Sequence, residues 1–128
     1  MEKDTIVDIP ENRVKFFGTS GKMLLPSADT VKLALKKIPK GKLITTTTLR
    51  QYLTEQFQVQ GTCPVTTKKA LTLIAKDSDS NVPYWRVVNQ NGNIVSGLGD
   101  TQSKLADEGL VVEEKKVKDC KAHLTNLK

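Results

Sequence analysis

Apolar residues recur at helical spacing through the middle of the chain, and polar residues divide them into separate stretches. The first stretch follows Ser27, which can cap a helix over about 28–37, with Asp29 near the positive end of that helix. Pro39 and Gly41 end the pattern, because neither residue favours the continuation of a helix. The pattern therefore predicts a short amphipathic helix followed by a turn.

Two longer helices are predicted after this turn. Thr46 or Thr47 can cap the first of them, and its apolar residues fall on one stripe. Thr66 or Thr67 begins the second, over about 65–76, with lysines on the side that faces water. The apolar stripes are Leu49, Tyr52, Leu53 and Phe57 in the first helix and Ala70, Leu71, Leu73, Ile74 and Ala75 in the second.

The second half of the chain alternates turns with short apolar runs. A hairpin is predicted over 86–96, where an Asn-Gly pair supplies the positive φ angles of a tight turn. A fourth helix over about 100–108 follows, and the runs 110–112 and 116–117 predict a short strand pair. This order predicts an α+β fold, mainly α: a winged helix-turn-helix with a small hairpin wing.

The first 25 residues differ from the rest of the chain. Their apolar residues surround Pro10 and Gly18, which indicates an extended arm or short strands followed by a turn. We therefore divide the chain into an N-terminal arm, 1–25, and one compact domain, 26–125. The apolar runs are too short to span a membrane, and the N-terminus lacks the pattern of a secretory signal. We expect a cytoplasmic monomer.

The net charge of +6 is concentrated in one segment. Residues 31–76 carry nine lysines and arginines against a single acid, Glu55, whereas the segments on either side are each close to neutral. A basic segment of this kind is typical of a surface that binds phosphates, although a solvated lysine-rich face would have the same composition. The charge pattern favours a nucleic acid as the partner.

The chain has few of the residues that hold metals. Cys63 and Cys120 are far apart in sequence, and His123 is the only histidine, so no clustered ligand set is visible. We expect no metal and no cofactor. In a reducing compartment the two cysteines are expected to be free thiols, although a disulfide between them is possible geometrically.

Four short motifs occur in order over about residues 24–124. Residues 38–43 resemble Ile-Pro-x-Gly-Lys-Val, with Leu43 in place of the valine. Residues 83–89 with Gly92 match Pro-Cys-His-Arg-Val-Val-Asn-x-x-Gly except at Tyr84 and Trp85. Residues 96–97 resemble a loop that lines a lesion pocket, and 105–109 match Leu-x-x-Glu-Gly. Together they resemble the O6-alkylguanine DNA alkyltransferases, the methylated-DNA-protein-cysteine methyltransferases. The resemblance implies that family's winged helix-turn-helix, DNA-binding domain.

The reactive residues of that family are missing here. The position of the alkyl-accepting cysteine falls on Tyr84, and that of the histidine that helps to form the thiolate falls on Trp85. A phenol and an indole cannot replace an activated thiol in alkyl transfer. The nearer resemblance is to the alkyltransferase-like proteins, which have tryptophan for the cysteine but normally keep the histidine, and which bind alkylated DNA for other repair factors. The resemblance therefore implies DNA binding without catalysis.

Two further family residues, which extrude the damaged nucleotide, are also replaced. The tyrosine that rotates the nucleotide out of the helix falls on Thr46. The arginine that fills the gap falls on Thr67, or on Lys68 after a one-residue shift that keeps Lys69 off a core position, and we prefer the shift. Lysine lacks the flat guanidinium that stacks, and flipping a base costs a few kcal/mol, so base flipping is in doubt.

Several residues have both a structural and a functional interpretation. Tyr84 and Trp85 are core aromatics or base-stacking platforms, and Arg86 binds phosphate or pairs with Glu108 or Asp107. Thr46 and Thr47 either cap a helix or donate hydrogen bonds from their hydroxyls to DNA phosphates. Glu108 matches the family's histidine-orienting acid, so it is expected to cap backbone or to accept the indole N–H of Trp85.

We predict a non-catalytic protein that binds duplex DNA, with alkylated duplex and a repair protein as candidate partners. The predicted DNA contacts are Lys42, Thr46, Thr47, Thr66, Thr67, Lys68, Lys69 and Arg86, and the predicted pocket residues are Tyr84, Trp85, Asn89, Ser96, Gly97 and Glu108. The alternative is a protein-interaction scaffold in which Trp85 fills the old pocket. A residual transferase that uses Cys63 is the third and weakest hypothesis, because no basic partner for this thiol is evident.

Overall fold

The computed structural model describes residues 4–76, 82–95, 98 and 101–125, and we discuss only these. The described elements mix short strands with six α-helices and two 3₁₀ turns, Glu11–Arg13 and Tyr84–Arg86. The elements, in chain order, are β1 (Thr5–Asp8), α1 (Val14–Phe17), β2 (Lys22–Leu25), α2 (Ala28–Leu35), β3 (Ile44–Thr45), α3 (Thr46–Gln56), β4 (Gly61–Thr62), α4 (Pro64–Lys76), β5 (Val87–Val88), α5 (Thr101–Asp107), β6 (Val112–Glu113), β7 (Lys116–Val117) and α6 (Cys120–His123).

The described strands form three small sheets. Strand β2 lies between β1, to which it is antiparallel, and β4, to which it is parallel. Strands β3 and β5 pair in parallel, and β6 and β7 pair in antiparallel fashion. The pairing of β2 with β4 joins the segment that we named the N-terminal arm to a strand between α3 and α4. The division of the chain at residue 25 itself stays a prediction.

The first predicted helix is confirmed, including its cap. Helix α2 begins after Ser27, whose side-chain oxygen accepts a hydrogen bond from the backbone N–H of Thr30 at 3.2 Å. Asp4 on the arm adds to this helix start, because its carboxylate accepts from the Ser27 backbone N–H at 2.7 Å. The arm therefore contributes to the N-terminus of α2.

The threonines predicted to cap or begin the next two helices were wrong, although the predicted range of the second helix, about 65–76, agrees with α4. Thr45 caps α3 by accepting from the Thr48 backbone N–H at 3.1 Å, so neither Thr46 nor Thr47 is the cap. Pairing with β5 keeps Thr45 extended, which is the backbone conformation that a cap requires. Helix α4 begins at Pro64, earlier than Thr66 or Thr67, because the fixed φ of proline suits the first helical position.

The main core lies where α2, α3 and α4 pack together. Leu35, Leu49 and Ile74 are among its fully buried side chains, and the last two belong to the apolar stripes predicted for α3 and α4. Leu33 of α2 and Leu73 of α4 are exceptions, because they are 66% and 48% exposed. A helix has room for only one buried stripe against a single layer of neighbours, and Ala70, Leu71 and Ile74 occupy it in α4.

The elements after α4 agree in part with the prediction. Helix α5 lies within the predicted range of 100–108. Strands β6 and β7 form the predicted pair, and β6 begins at Val112, about two residues after the predicted start. The chain reverses between Asn89 and Asn93, whose backbone N–H and carbonyl are bonded at 2.8 Å. Beyond this turn, the two predicted hairpin strands are joined in the described residues by a single bridge, between Val88 and Ile94. The backbone N–H of Ile94 donates to the Lys115 carbonyl and not to the other hairpin strand. A mixed α+β fold is thus established, and the wing stays a prediction.

None of the helices in the described ranges has both the length and the apolar composition needed to cross a lipid bilayer.

Candidate nucleic-acid interface

The carboxylate of Glu108 is the centre of a buried polar cluster. One oxygen accepts from the Gly41 backbone N–H at 3.0 Å, and the other accepts from the indole N–H of Trp85 at 2.8 Å. The Arg86 guanidinium donates to the same carboxylate, from Nη2 at 2.7 Å and from Nε at 3.0 and 3.1 Å. Both roles expected for Glu108, capping backbone and accepting the indole N–H, are confirmed.

This cluster determines which interpretation holds for Arg86. The structure pairs Arg86 with Glu108 and leaves Asp107 exposed, and the guanidinium also donates to the Ile38 carbonyl at 2.6 Å. The Arg86 and Glu108 side chains are only 14% and 6% exposed. Arg86 is therefore committed to linking the turn after α2 to the end of α5, and we do not include it among the DNA contacts that we propose.

The ionisation of Glu108 follows from its surroundings. Burial by itself raises the pKa of a carboxylic acid, because the charged form loses water. The hydrogen bonds from Arg86, Gly41 and Trp85 outweigh burial, so the pKa of Glu108 lies below its ordinary value. The carboxylate is therefore charged at neutral pH, and it neutralises the adjacent guanidinium.

Of the two aromatic residues that the motif resemblance aligns with reactive positions, Tyr84 is buried and Trp85 is half-buried. Tyr84 is 9% exposed, and its ring meets that of Trp85 edge to face at 5.1 Å between centroids. The Trp85 ring lies between two cations, Arg86 at 5.7 Å and Lys104 at 5.4 Å from its centroid. These contacts favour the interpretation of Tyr84 and Trp85 as core aromatics over that of base-stacking platforms.

A cavity of about 200 Å³ brings together predicted residues from three separate segments. It is lined by Thr46, Arg50, Pro64, Thr67, Lys68, Leu71, Asn89 and Val95. The described lining includes Asn89 but not Tyr84, Trp85 or Glu108, so the predicted pocket residues do not form one group. Ser96 and Gly97, also predicted for the pocket, lie outside the described residues. We call this space the α3–α4 cavity.

The predicted phosphate contacts differ in their access to solvent. Lys42, Lys68 and Lys69 are exposed, whereas Thr67 is buried and its hydroxyl donates to the Cys63 carbonyl at 2.7 Å. A buried hydroxyl that is already bonded cannot reach a phosphate, so the three lysines are the stronger candidates. The exposure of Lys68 beside the burial of Thr67 also favours the shifted alignment for the missing arginine.

The other predicted threonines, Thr46, Thr47 and Thr66, are half-buried. The Thr47 hydroxyl donates to the side-chain oxygen of Gln90 at 2.9 Å, which links the start of α3 to the turn at Asn89–Asn93. Thr46 lines the α3–α4 cavity, and Thr66 lies in the first turn of α4. Their role in phosphate binding stays a prediction.

Sequence reasoning missed Arg50. It lines the α3–α4 cavity and also a second cavity of about 500 Å³, lined by residues of the arm and of α3, which we call the arm cavity. The signal in the sequence was modest: Arg50 is the single arginine among the nine cations of 31–76, one helical turn after Thr46. Its position between two cavities depends on how the arm packs against α3.

A basic partner for Cys63 was missed as well. Arg13 of the arm donates from Nη1 to the Cys63 sulfur at 3.2 Å, across 50 positions of sequence. Burial raises the pKa of this thiol, but the hydrogen bonds from Thr66, Arg13 and Val65 outweigh it and lower the pKa overall. Cys63 is nevertheless buried. A nucleophile that attacks a bulky DNA substrate must be accessible, so burial argues against this role for Cys63. Cys120 is the other free thiol.

Among the residues that the structure describes, no three His, Cys, Asp or Glu side chains are grouped so as to hold a metal ion.

The fold is similar to that of a protein already solved on DNA. The structure resembles S. pombe Atl1 in complex with damaged DNA containing O6-carboxymethylguanine, with a TM-score of 0.61. The likeness covers 77% of this chain and 94% of the Atl1 chain, at 20% sequence identity. No protein-family model matches the chain. No curated protein is significantly similar to it either. At this level of identity, the likeness establishes that the two chains share a fold.

Proposed function

We propose that this chain is a non-catalytic DNA-binding protein of the alkyltransferase-like type, which binds duplex DNA and takes part in the recognition of alkylated bases. The observation that carries the proposal is the shared fold with Atl1, which spans 94% of a chain solved on damaged DNA. Fold alone does not determine function, so the site must supply the rest of the argument.

The site supports DNA binding through charge. Lys68 and Lys69 are exposed near the start of α4, and Lys42 is exposed at the turn before α3. All three belong to the segment that carries nine cations and one acid. Such a concentration of positive charge on a helix-turn-helix is the electrostatic footprint of phosphate binding.

The site supports the absence of catalysis through the residues at the reactive positions. Tyr84 is buried where the family has its cysteine, and Trp85 donates to Glu108 where the family has its histidine. A phenol cannot supply the thiolate chemistry of the alkyl transfer. We infer that the polar cluster around Glu108 stabilises the fold and transfers no alkyl group.

Binding titrations of labelled oligonucleotides test this function. Plain duplex, duplex with one O6-alkylguanine and single-stranded DNA are compared between 50 and 200 mM salt. If about six phosphates are contacted, the logarithm of affinity should fall against the logarithm of salt with a slope of about −5. A slope near zero, or no binding to either duplex, contradicts the proposal.

Lysine variants show whether α4 makes the contacts. Changing Lys68 and Lys69 to alanine together should weaken binding to every duplex and reduce the salt slope by about 2, roughly 1 for each lost phosphate contact. The matched control is Lys118→Ala, an exposed lysine in a segment of balanced charge, which should leave the slope unchanged. If Lys118→Ala reduces the salt slope as much as the double variant does, the phosphate contacts cannot be assigned to α4.

The intact mass of the protein tests the absence of transfer. After incubation with DNA that contains O6-alkylguanine, we expect the mass to be unchanged. A gain equal to the alkyl group, located on Cys63 by peptide mapping, shows instead that the thiol beside Arg13 is a transferase nucleophile.

One observation favours the protein-interaction alternative. Val65 and Leu73 are exposed by 53% and 48% on α4, and both line an apolar groove along that helix. In this alternative a protein covers the groove and DNA does not. Trp85 emission that is resistant to quencher and unaffected by DNA, together with the absence of oligonucleotide binding, supports this alternative.

A further inference from the structure

Besides the pairing of β2 with β4, two side chains of the N-terminal arm contact the segment between α3 and α4. The Phe17 ring packs on Gly61 of β4 so closely that any side chain at that position would overlap it. Arg13 bonds to Cys63, the residue immediately before α4. The arm also contributes Ile9 and Met23 to a small core that they form with Cys63. Helix α1 is therefore held in a defined position beside α3 and α4.

This attachment turns Phe16 outward. Phe17 faces Gly61, and the neighbouring Phe16 ring stands almost perpendicular to it at 5.0 Å between centroids. Phe16 is 58% exposed, although burial of a phenylalanine is strongly favourable. The Arg50 guanidinium lies 5.5 Å from the Phe16 ring centroid. An exposed aromatic ring and a cation are thus presented together at the junction of the arm and α3.

The pair opens onto the arm cavity. Phe16, Thr47 and Arg50 line this space of about 500 Å³, which is within the range of small-molecule sites. Its remaining lining is Phe17, Gln51, Thr54, Glu55, Gln60, Gly61 and Thr62. Arg50 also lines the α3–α4 cavity, together with Lys68 and Asn89. The pair is therefore adjacent to the surface that we propose for DNA.

We propose that Phe16 and Arg50 form a binding site for one unpaired nucleotide of DNA, with the base stacked on the Phe16 ring and its phosphate held by Arg50. This inference rests on the proposed function. Every base has a π-face that stacks on an aromatic side chain, and a guanidinium donates two parallel hydrogen bonds to phosphate oxygens. Tyr84, one of the two aromatics that the sequence pointed to, is buried, and the other, Trp85, is half-buried, whereas Phe16 is 58% exposed.

The test compares two duplexes of the same sequence, one fully paired and one with a single unpaired base. Phe16→Ala should weaken binding to the duplex with the unpaired base by about tenfold, the loss expected for one stacked base, and should change binding to the paired duplex less than twofold. The matched control is Ile6→Ala, which removes another exposed apolar side chain of the arm and should affect neither duplex. An equal loss on both duplexes, or no loss on either, overturns the proposal.

A conservative variant separates stacking from any disturbance of the arm. Phe16→Trp should keep the affinity for the unpaired base, and the new indole emission, after subtraction of the wild-type signal from Trp85, should be quenched by that duplex and not by the paired one. Absence of this selective quenching contradicts the assignment.

The two proposals fail in different ways. If the wild-type protein binds neither duplex, the proposed function fails and this inference fails with it. If the wild-type protein binds DNA but Phe16→Ala is indistinguishable from it on both duplexes, only the nucleotide site is refuted.

Discussion

Replacing Glu108 with alanine removes the centre of the polar cluster. Its carboxylate accepts from the Gly41 N–H, the Trp85 indole and the Arg86 guanidinium, each at 2.7–3.1 Å. Alanine leaves all of these donors without that acceptor. The most severe consequence is for Arg86, because its charge then stays in the protein interior without a counter-ion.

The expected loss can be estimated from the geometry. Removing one partner of a buried ion pair costs about 3–5 kcal/mol, most of it from the uncompensated charge that remains. The Arg86 side chain is 14% exposed, so some water can reach the guanidinium, and we take the lower end of that range. We therefore expect Glu108→Ala to lower the free energy of unfolding by about 3 kcal/mol, more than a hundredfold in the folding equilibrium.

Urea unfolding at pH 7, followed by far-ultraviolet circular dichroism, measures this loss. The matched control is Asp107→Ala, the exposed acid next in sequence, which should change the free energy of unfolding by less than about 0.5 kcal/mol. Adding Arg86→Met to Glu108→Ala should recover about 1 kcal/mol or more, because it removes the unpaired charge.

Two results refute this reasoning. A loss below about 1 kcal/mol for Glu108→Ala shows that water or another acceptor replaces the carboxylate. A double variant that is less stable than Glu108→Ala by the full cost of Arg86→Met alone shows that the two side chains are not coupled.

Three further predictions follow from single contacts. Thr45→Ala should destabilise the protein by about 1 kcal/mol in the same urea assay, whereas Thr46→Ala should cost much less, because only Thr45 caps α3. Gly61→Ala should cost about 1–3 kcal/mol, since its side chain displaces the Phe17 ring; a thermal midpoint equal to that of the wild type contradicts this packing. The stabilising effect of Glu108 should be complete above its ordinary pKa of 4.5 and should diminish as pH falls through the lower folded-state pKa. The difference in unfolding free energy between wild type and Glu108→Ala should therefore be smaller at pH 3 than at pH 7.

Local sequence was sufficient for most of the helices. The apolar stripes of α2, α3 and α4 identified their buried faces, and Ser27 identified the cap of α2. These features depend on residues within one or two helical turns of each other, so periodicity and capping chemistry report them directly. Where a strand intervened, as at Thr45, the cap moved by one residue, because pairing with a distant segment keeps that residue extended.

The contacts of the candidate site depended on packing to different degrees. The motif resemblance anticipated that Glu108 would meet Trp85, and the structure confirms it. The choice between Asp107 and Glu108 as partner of Arg86 needed the structure, since both lie on the same short segment and only their orientation distinguishes them.

By itself, the sequence determined that this is a mixed α+β chain with one strongly basic segment and without a thiol at the position where its motifs resemble a transferase. Only the tertiary structure decided that Leu73 is exposed, that Tyr84 is buried and that Phe16 lies beside Arg50. The physical reason is that these features depend on contacts between residues that are far apart in the sequence. Periodicity shows which side of an element is apolar, but not which distant element covers that side. Phe16 and Arg50 are far apart in sequence and meet where the arm packs against α3 and β4.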